Sequence, residues 1–458
     1  MVRSSLLTRV SLALLLLSSP SLWGQAPPAE ARAPNVVLIL SDDAGYADFS
    51  FQGTRRFPTP HIDSLAARGV QFTQAYVSAS VCSPSRAGLI TGRYQQRFGH
   101  EHNFPSNSGP DVGLAVGERT LADALGDHGY RTIGLGKWHL GYGPEMHPLA
   151  RGFDHYHGFL QGSRSFWPDE TDPRRQHQED GETLDEDFAY LTDHLGERAA
   201  DYVADHAHEP FFLYLSFTAV HTPMHALEQD LAAVEDVQVE KRRKLAAMTV
   251  AMDRAVGEVL AALREHELER DTLLVFVNDN GGAWNNGSSN GSLRGTKGTP
   301  YEGGVRVPML AQWPGVLPSG TVYDLPVSTL DLFATALAAA GSAAAPGTPS
   351  SADRDHSALD GVDLVPYLTG RASGRPHEAL FWRRRTNQAV RVGDWKLVID
   401  QGMRPVLFDL ANDPGESRDL AAEHPDVVRE LASRFEDWAR ELVPPGWGSS
   451  ATNPPPAR

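Results

Sequence analysis

Four short apolar runs constrain this chain most: Val36-Val37-Leu38-Ile39-Leu40, Thr132-Ile133-Gly134-Leu135, Phe211-Phe212-Leu213-Tyr214-Leu215 and Leu273-Leu274-Val275-Phe276-Val277. None shows the alternation of a strand with one wet face, so each reads as a strand covered on both sides, as in a parallel sheet. Helical patterns over 62–68, 118–128, 185–207 and 240–266 lie between them, and parallel strands need such crossovers. The alternation predicts an α/β sandwich. No internal repeat of solenoid or propeller period is present.

Each run is followed at once by chemically capable side chains: Asp42 and Asp43, then Lys137 and His139, then His221, then Asp279 and Asn280. Parallel strands bring their carboxyl ends to one sheet edge, where open α/β folds hold their sites. One such residue would be an ordinary loop carboxylate or cap; four sets together predict a site. Asp42, Asp43, Asp279 and Asn280 offer only oxygen, which suits a hard cation such as Ca²⁺ or Mg²⁺. A cation would also relieve the repulsion between adjacent aspartates.

The single cysteine, Cys82, stands in Val81-Cys82-Ser83-Pro84-Ser85-Arg86. One cysteine excludes an intrachain disulfide framework and a multi-cysteine zinc site. Pro84 suits a first helical turn, so Cys82 is expected to cap a helix N-terminus, where backbone N–H groups favour an anion. Arg86 follows one turn later on the same face.

The chain carries 41 Lys plus Arg against 58 Asp plus Glu, a net charge of −17. That balance argues against nucleic acid or an anionic membrane surface as partner. Arg3 and Arg9 accompany the apolar run Leu12–Leu17, which reads as a secretory signal peptide over residues 1–24. The run is too short to anchor the chain in a bilayer. A secreted or periplasmic protein is expected. Residues 33–372 are read as the main domain and 373–442 as a small α+β subdomain with antiparallel strands and a final helix at about 424–442. A Gly/Ala/Pro/Ser stretch at 341–358 is expected as a surface loop, and the Pro-rich end, 443–458, as a disordered tail.

Cys-x-Pro-Ser-Arg followed by Ala-x-Leu-x-Thr-Gly-Arg resembles the signature of type I sulfatases of the arylsulfatase and N-acetylgalactosamine-6-sulfatase kind, whose cysteine is oxidised to Cα-formylglycine. The resemblance extends through Ser41-Asp42-Asp43, Gly136-Lys137-Trp138-His139, Arg151-Gly152-Phe153-Asp154, His221-Thr222-Pro223, Asn278-Asp279-Asn280-Gly281-Gly282, and Arg294-Gly295-x-Lys297-Gly298 with Tyr301-Glu302-Gly303-Gly304. It implies an alkaline-phosphatase-like fold, with a large mixed, mostly parallel sheet flanked by helices and a small C-terminal antiparallel sheet. It also implies one Ca²⁺ on Asp42, Asp43, Asp279, Asn280 and an oxygen of the modified residue 82, and maturation by a formylglycine-generating enzyme.

The implied roles are these. Arg86 and Lys137 hold the hydroxyls of the hydrated residue 82; Lys297 and His221 grip sulfate and assist the leaving oxygen; His139 takes a proton from the second hydroxyl. A sulfate ester repels an anionic attacker, so concentrated positive charge is needed where charge develops. A gem-diol, unlike Ser or Cys, can expel sulfate by C–O cleavage and regenerate the aldehyde. His102 and Asn103, with His100, could line a sugar pocket shaped by 95–110, 155–180 and 284–296; His225, His155 and His157 are weaker candidates. His61, His128, His177 and His206 read as surface histidines, and Arg383-Arg384-Arg385 as a solvated run or a contact to an anionic polymer. Asn286 and Asn290 fit glycosylation sequons. The expected activity is release of sulfate from a sulfated polysaccharide or oligosaccharide, or from an aryl sulfate. Two rivals stay open: a phosphodiesterase or phosphonate monoester hydrolase of the same superfamily, and an unconverted, inactive Ca²⁺-dependent sulfated-glycan-binding protein.

Overall fold

Each of the four apolar runs is a strand with neighbours on both sides. A computed structural model describes Met1 and residues 32–54, 57–341 and 359–447. The signal-peptide expectation, nearly all of the 341–358 loop and most of the tail lie outside the described residues. The chain divides into Met1–Arg32 and Ala33–Arg458, and the fold below is that of the second unit. Its large sheet contains β1 (Asn35–Ser41), β2 (Val70–Tyr76), β3 (Arg131–Lys137), β4 (His155–Phe159), β5 (Gln178–Glu179), β6 (Glu182–Thr183), β7 (Phe211–Ser216), β8 (Thr272–Asn278), β9 (Arg306–Gln312), β10 (Thr321–Tyr323) and β11 (Val327–Ser328). The order is β10-β2-β9-β8-β1-β7-β3-β4-β5-β6, with β11 also on β2. Strands β8, β1, β7, β3 and β4 are mutually parallel, and β9 runs against them.

Helices cover both faces. In chain order they are α1 (Pro60–Arg68), α2 (Cys82–Thr91), α3 (Leu121–Gly126), α4 (Leu191–Asp205), α5 (Glu228–Ala233), α6 (Glu240–Glu265), α7 (Glu302–Val305), α8 (Asp331–Ala339), α9 (Val365–Leu368) and α10 (Pro425–Ala439). Val36, Leu38 and Leu40 of β1 enter one core with residues of α2, α3 and α8; Val37 and Ile39 enter the other with α4 and α6. This two-sided burial is why the run cannot alternate, and each such side chain contributes about 1.5–3 kcal/mol.

Two predicted helices are shorter than their patterns. Thr120 and Asp123 form a reciprocal capping box that starts α3 at Leu121. The segment before α4 is held extended because Glu186 binds Arg164 at 2.6 and 2.7 Å and accepts the His177 N–H at 2.9 Å. The C-terminal sheet, β12 (Ala379–Arg384), β13 (Asn387–Val392), β14 (Trp395–Ile399) and β15 (Val406–Asp409), is antiparallel throughout and carries α10. Where the tail is described, Gly446 N–H donates to Gly99 O at 2.8 Å and Trp447 Nε1 to His102 O at 2.9 Å. Among the described residues no helix is long and apolar enough to cross a membrane.

Candidate active site

The strand register does what the sequence pattern requires. Ser41 sits opposite Asn278 across β1 and β8, Leu40 opposite Ser216 across β1 and β7, and Gly136 opposite Ser216 across β3 and β7. Asp42, Lys137 and Asp279 therefore leave the sheet at one edge, with His139 and His221 on the loops that follow. Helix α2 starts over that edge. Cys82 is its first residue, with Val81 in the capping position, so the helix starts one residue earlier than the sequence suggested. Asn103 Oδ1 accepts the Ser83 N–H at 3.0 Å, and His100 Nε2 lies 2.6 Å from Ser83 Oγ; these side chains brace the helix start.

Around Cys82 acidic and basic groups alternate. Lys297 Nζ lies 2.9 Å from Cys82 Sγ and 2.5 Å from Asp43 Oδ1. Lys137 Nζ donates to Asp42 Oδ2 at 2.5 Å, and Arg86 binds Asp279 Oδ2 at 2.8 and 2.9 Å. Arg86 also donates to Lys137 O and Ser216 Oγ. His221 Nε2 is 3.5 Å from Asp43 Oδ2, and its Nδ1 is 2.6 Å from Thr222 O. Burial pushes the Cys82 thiol up to about 12 against the pull of Lys137 and Lys297, so the encoded thiol stays protonated at neutral pH. Burial opposes ionisation of Asp42, but Lys137, His221 and Arg86 outweigh it and hold the carboxyl well below the usual range.

His139 is buried and neutral: desolvation, then Lys137 and Arg86, drive it well below an ordinary imidazole. Its Nδ1 has no hydrogen-bond partner, and Phe104 packs edge-on against the ring at 5.3 Å. A methyl at Gly162 would fall 2.5 Å from the ring. Both Asp43 (φ 63°) and His139 (φ 60°) hold left-handed backbone, a conformation that non-glycine residues adopt at a cost and that marks functional turns.

The donor set fits a hard cation. One ligand atom each from Asp42, Asp43, Cys82 and His221 lies within 4.8 Å of the others. Asn280 Oδ1 is buried without a hydrogen-bond partner, while its amide nitrogen donates to Asp43 Oδ1 at 2.8 Å. A buried carbonyl left without a donor beside Asp43 is an unfilled acceptor position, and such oxygen ligands suit a hard cation.

The outer predicted residues fare differently. His102 is buried near the helix start and is lowered to about 4, by burial first and then by Arg384 and Arg385; Asn103 turns its carbonyl to Ser83. Arg383 pairs with Glu101, and Arg384 donates to Gly298 O at 3.3 Å beside Lys297, so these two are tied into the fold while Arg385 is exposed. Asn286 and Asn290 are buried, which removes both as glycosylation acceptors: Asn286 Nδ2 donates to Asp43 O and Val220 O, and Asn290 Oδ1 accepts from Tyr46 and Gly282. His177 is buried, not on the surface, and His157 packs with it; His225 stacks on Trp167. Sequence reasoning missed Ser216 and Ser288, and gave Asn278 no role beyond its place in the Asn278–Gly282 segment. Asn278 locks the first acidic turn by accepting from Ser41 Oγ and donating to Ala44 O, both at 2.6 Å, and Ser288 Oγ donates to Asp43 O at 2.7 Å. In sequence Asn278 adjoins Asp279 and Ser288 follows within ten residues of it, whereas Ser216 is marked only by closing an apolar run.

Residues 34–342 match the sulfatase family model. The chain is 31% identical to N-acetylgalactosamine-6-sulfatase of Canis lupus familiaris over 94% of this chain and 90% of that protein. It is 34% identical to human arylsulfatase A over 88% and 87%. The crystal structure of Ps i-CgsB superposes with a TM-score of 0.86 at 34% identity, covering 92% of this chain and 96% of that one. The chain belongs to the sulfatase family, in the alkaline-phosphatase-like superfamily, and is a sulfuric ester hydrolase.

Proposed function

We propose that this sulfatase releases sulfate from a sulfated polysaccharide or oligosaccharide after export, using formylglycine made from Cys82 and one Ca²⁺. The observation that carries the reading is the setting of residue 82: buried at a helix N-terminus, 2.9 Å from Lys297 Nζ and within reach of Asp42. The carbohydrate class is supported by a similar structure, described as Ps i-CgsB in complex with k-i-k-neocarrahexaose, which is 33% identical over 92% of this chain. Residues 33–372 would form the catalytic domain and 373–442 the subdomain that flanks it.

Asp42, Asp43, Asp279 and Asn280 would hold Ca²⁺, together with residue 82. Bound Ca²⁺ supplies positive charge toward the sulfate oxygens and offsets the three carboxylates. Formylglycine supplies an attacking hydroxyl and a carbonyl exit for sulfate.

The rest is done by side chains of this chain. Arg86 and Lys137 orient the groups on residue 82 from the helix side. Lys297, partly exposed, reaches the sulfate from the open side, where its charge is worth most as negative charge develops. His221 is close enough to the same face to deliver a proton to the leaving oxygen, and His139, kept neutral, is suited to accept one. His102 and Asn103 border this face and would meet the sugar.

Mass measurement of the peptide containing Cys82 tests the reading directly. Conversion of CH₂SH to CHO lowers the mass by about 18 Da. The converted enzyme should hydrolyse an aryl sulfate in preference to an aryl phosphodiester. An intact thiol in active enzyme would overturn the mechanism.

A further inference from the structure

We propose that His157, His177 and His194 form a second metal site, for one transition-metal ion of the zinc type, separate from the oxygen-rich catalytic cluster. The three come from different elements: His157 from β4, His177 from the turn entering β5, and His194 from the first turn of α4. One ring nitrogen of each lies within 4.8 Å of the other two. The ring centroids form a nearly equilateral triangle with sides of 4.9, 5.0 and 5.5 Å. Imidazoles bound through nitrogen at about 2.0–2.1 Å in a tetrahedron place their centroids about 5 Å apart, so the triangle already has the size of a three-histidine site.

Hydrogen bonding among the rings does not account for the cluster. His157 Nε2 and His194 Nε2 are 2.9 Å apart and can share one proton. His177 is 1% exposed, and neither of its nitrogens has a hydrogen-bond partner. His157 Nδ1 also has none. Each buried polar group left unsatisfied is a standing cost, and a metal drawing one lone pair from each ring would give buried His177 the partner it lacks.

The surroundings favour that ion over Ca²⁺. Three imidazoles would bind the ion with no thiolate or carboxylate among them, a set suited to zinc, copper or nickel and not to hard cations. Glu179 Oε1, held by Arg198 at 2.8 Å, lies 3.7 Å from His157 Nδ1, where a carboxylate commonly orients a metal-bound histidine. The guanidiniums that face the cluster are both paired, Arg164 with Glu186 and Arg198 with Glu179. His194 also lines a cavity of about 840 Å³ with Trp167, Asp187 and Asp193, which gives an entry path. Bound there, the ion would tie the 155–194 segment into one unit beside the catalytic edge.

The test uses full-length enzyme, stripped with a chelator and returned to excess Ca²⁺ so that the oxygen-rich site stays filled. Titration with Zn²⁺, followed by elemental analysis, should show one tightly held equivalent, and Tm should rise by at least about 3 °C. Co²⁺ should give the visible absorption of a four-coordinate nitrogen site. His177→Ala and, as a milder change on a partly exposed helix position, His194→Gln should each abolish the absorption and the Zn²⁺-dependent Tm rise while Ca²⁺ content stays at wild-type level. Wild-type protein that retains no Zn²⁺, or a folded His194→Gln protein that binds Zn²⁺ and Co²⁺ as wild type does, would overturn the proposal. Neither result bears on the sulfatase assignment, which rests on a different cluster.

Discussion

Replacing Lys396 with methionine tests the buried charge network that ties the lysine loop to the C-terminal sheet. Lys396 Nζ lies 2.8 Å from Glu302 Oε1 and 3.0 Å from Glu416 Oε1, and all three side chains are fully buried. Glu302 also accepts from Tyr76 OH at 2.7 Å, and its N–H donates to Glu416 Oε2 at 2.7 Å. Removing one member of a buried ion pair costs about 3–5 kcal/mol, because the remaining charge is stranded. Here two carboxylates would be stranded, and one of them can take up a proton. Burial lifts the Glu416 carboxyl, Lys396 opposes the shift and Glu302 adds to it, which leaves the group at about 7. For Glu302 burial is outweighed by Lys396, Arg306 and Arg391, which hold it at about 2.

The sign follows from the Glu416 shift. Its folded value lies above the 4.5 of an ordinary glutamate, so folding is favoured at low pH and loses about 1.4 kcal/mol per pH unit as pH rises from there to about 7. In wild type the loss stops there. Without Lys396 the folded value moves higher and the loss continues. Lys396→Met should therefore cost about 3 kcal/mol at pH 6 and about 1–2 kcal/mol more at pH 8.5. Urea unfolding followed by tryptophan fluorescence at the two pH values measures both. A cost below about 1 kcal/mol, or one that does not grow with pH, would refute the reasoning.

Lys297→Ala should lower kcat/KM for an aryl sulfate by about 10²–10³-fold with an unchanged circular dichroism spectrum, the size of loss expected for one electrostatic group at the reacting centre. Chelating Ca²⁺ should abolish turnover and lower Tm, both restored by Ca²⁺, and Asn280→Ala should raise the Ca²⁺ concentration for half-reactivation at least about 10-fold, as loss of one ligand predicts. Gly162→Ala should reduce kcat at least about 10-fold with little change in KM, because the new methyl displaces the His139 ring that Phe104 confines; steady-state kinetics on the folded variant decides it.

The sequence by itself determined the sheet and which side chains gather at its edge. Runs such as Val36–Leu40 are apolar without alternation only because both faces are covered, and that periodicity is local information. The residues after each run, from Asp42 to Asn280, could be assigned to one place because parallel strands end together. Tertiary structure alone decided what depends on distant neighbours. Glu186 leaves the helical pattern to hold Arg164, and Asn286 gives up its surface character to bind the backbone of Asp43 and Val220. His177 reads as a surface residue until β4 and α4 close over it. The burial of a single polar side chain outside such a run is set by what packs on it from elsewhere in the chain, and the identity and spacing of its sequence neighbours carry no record of that.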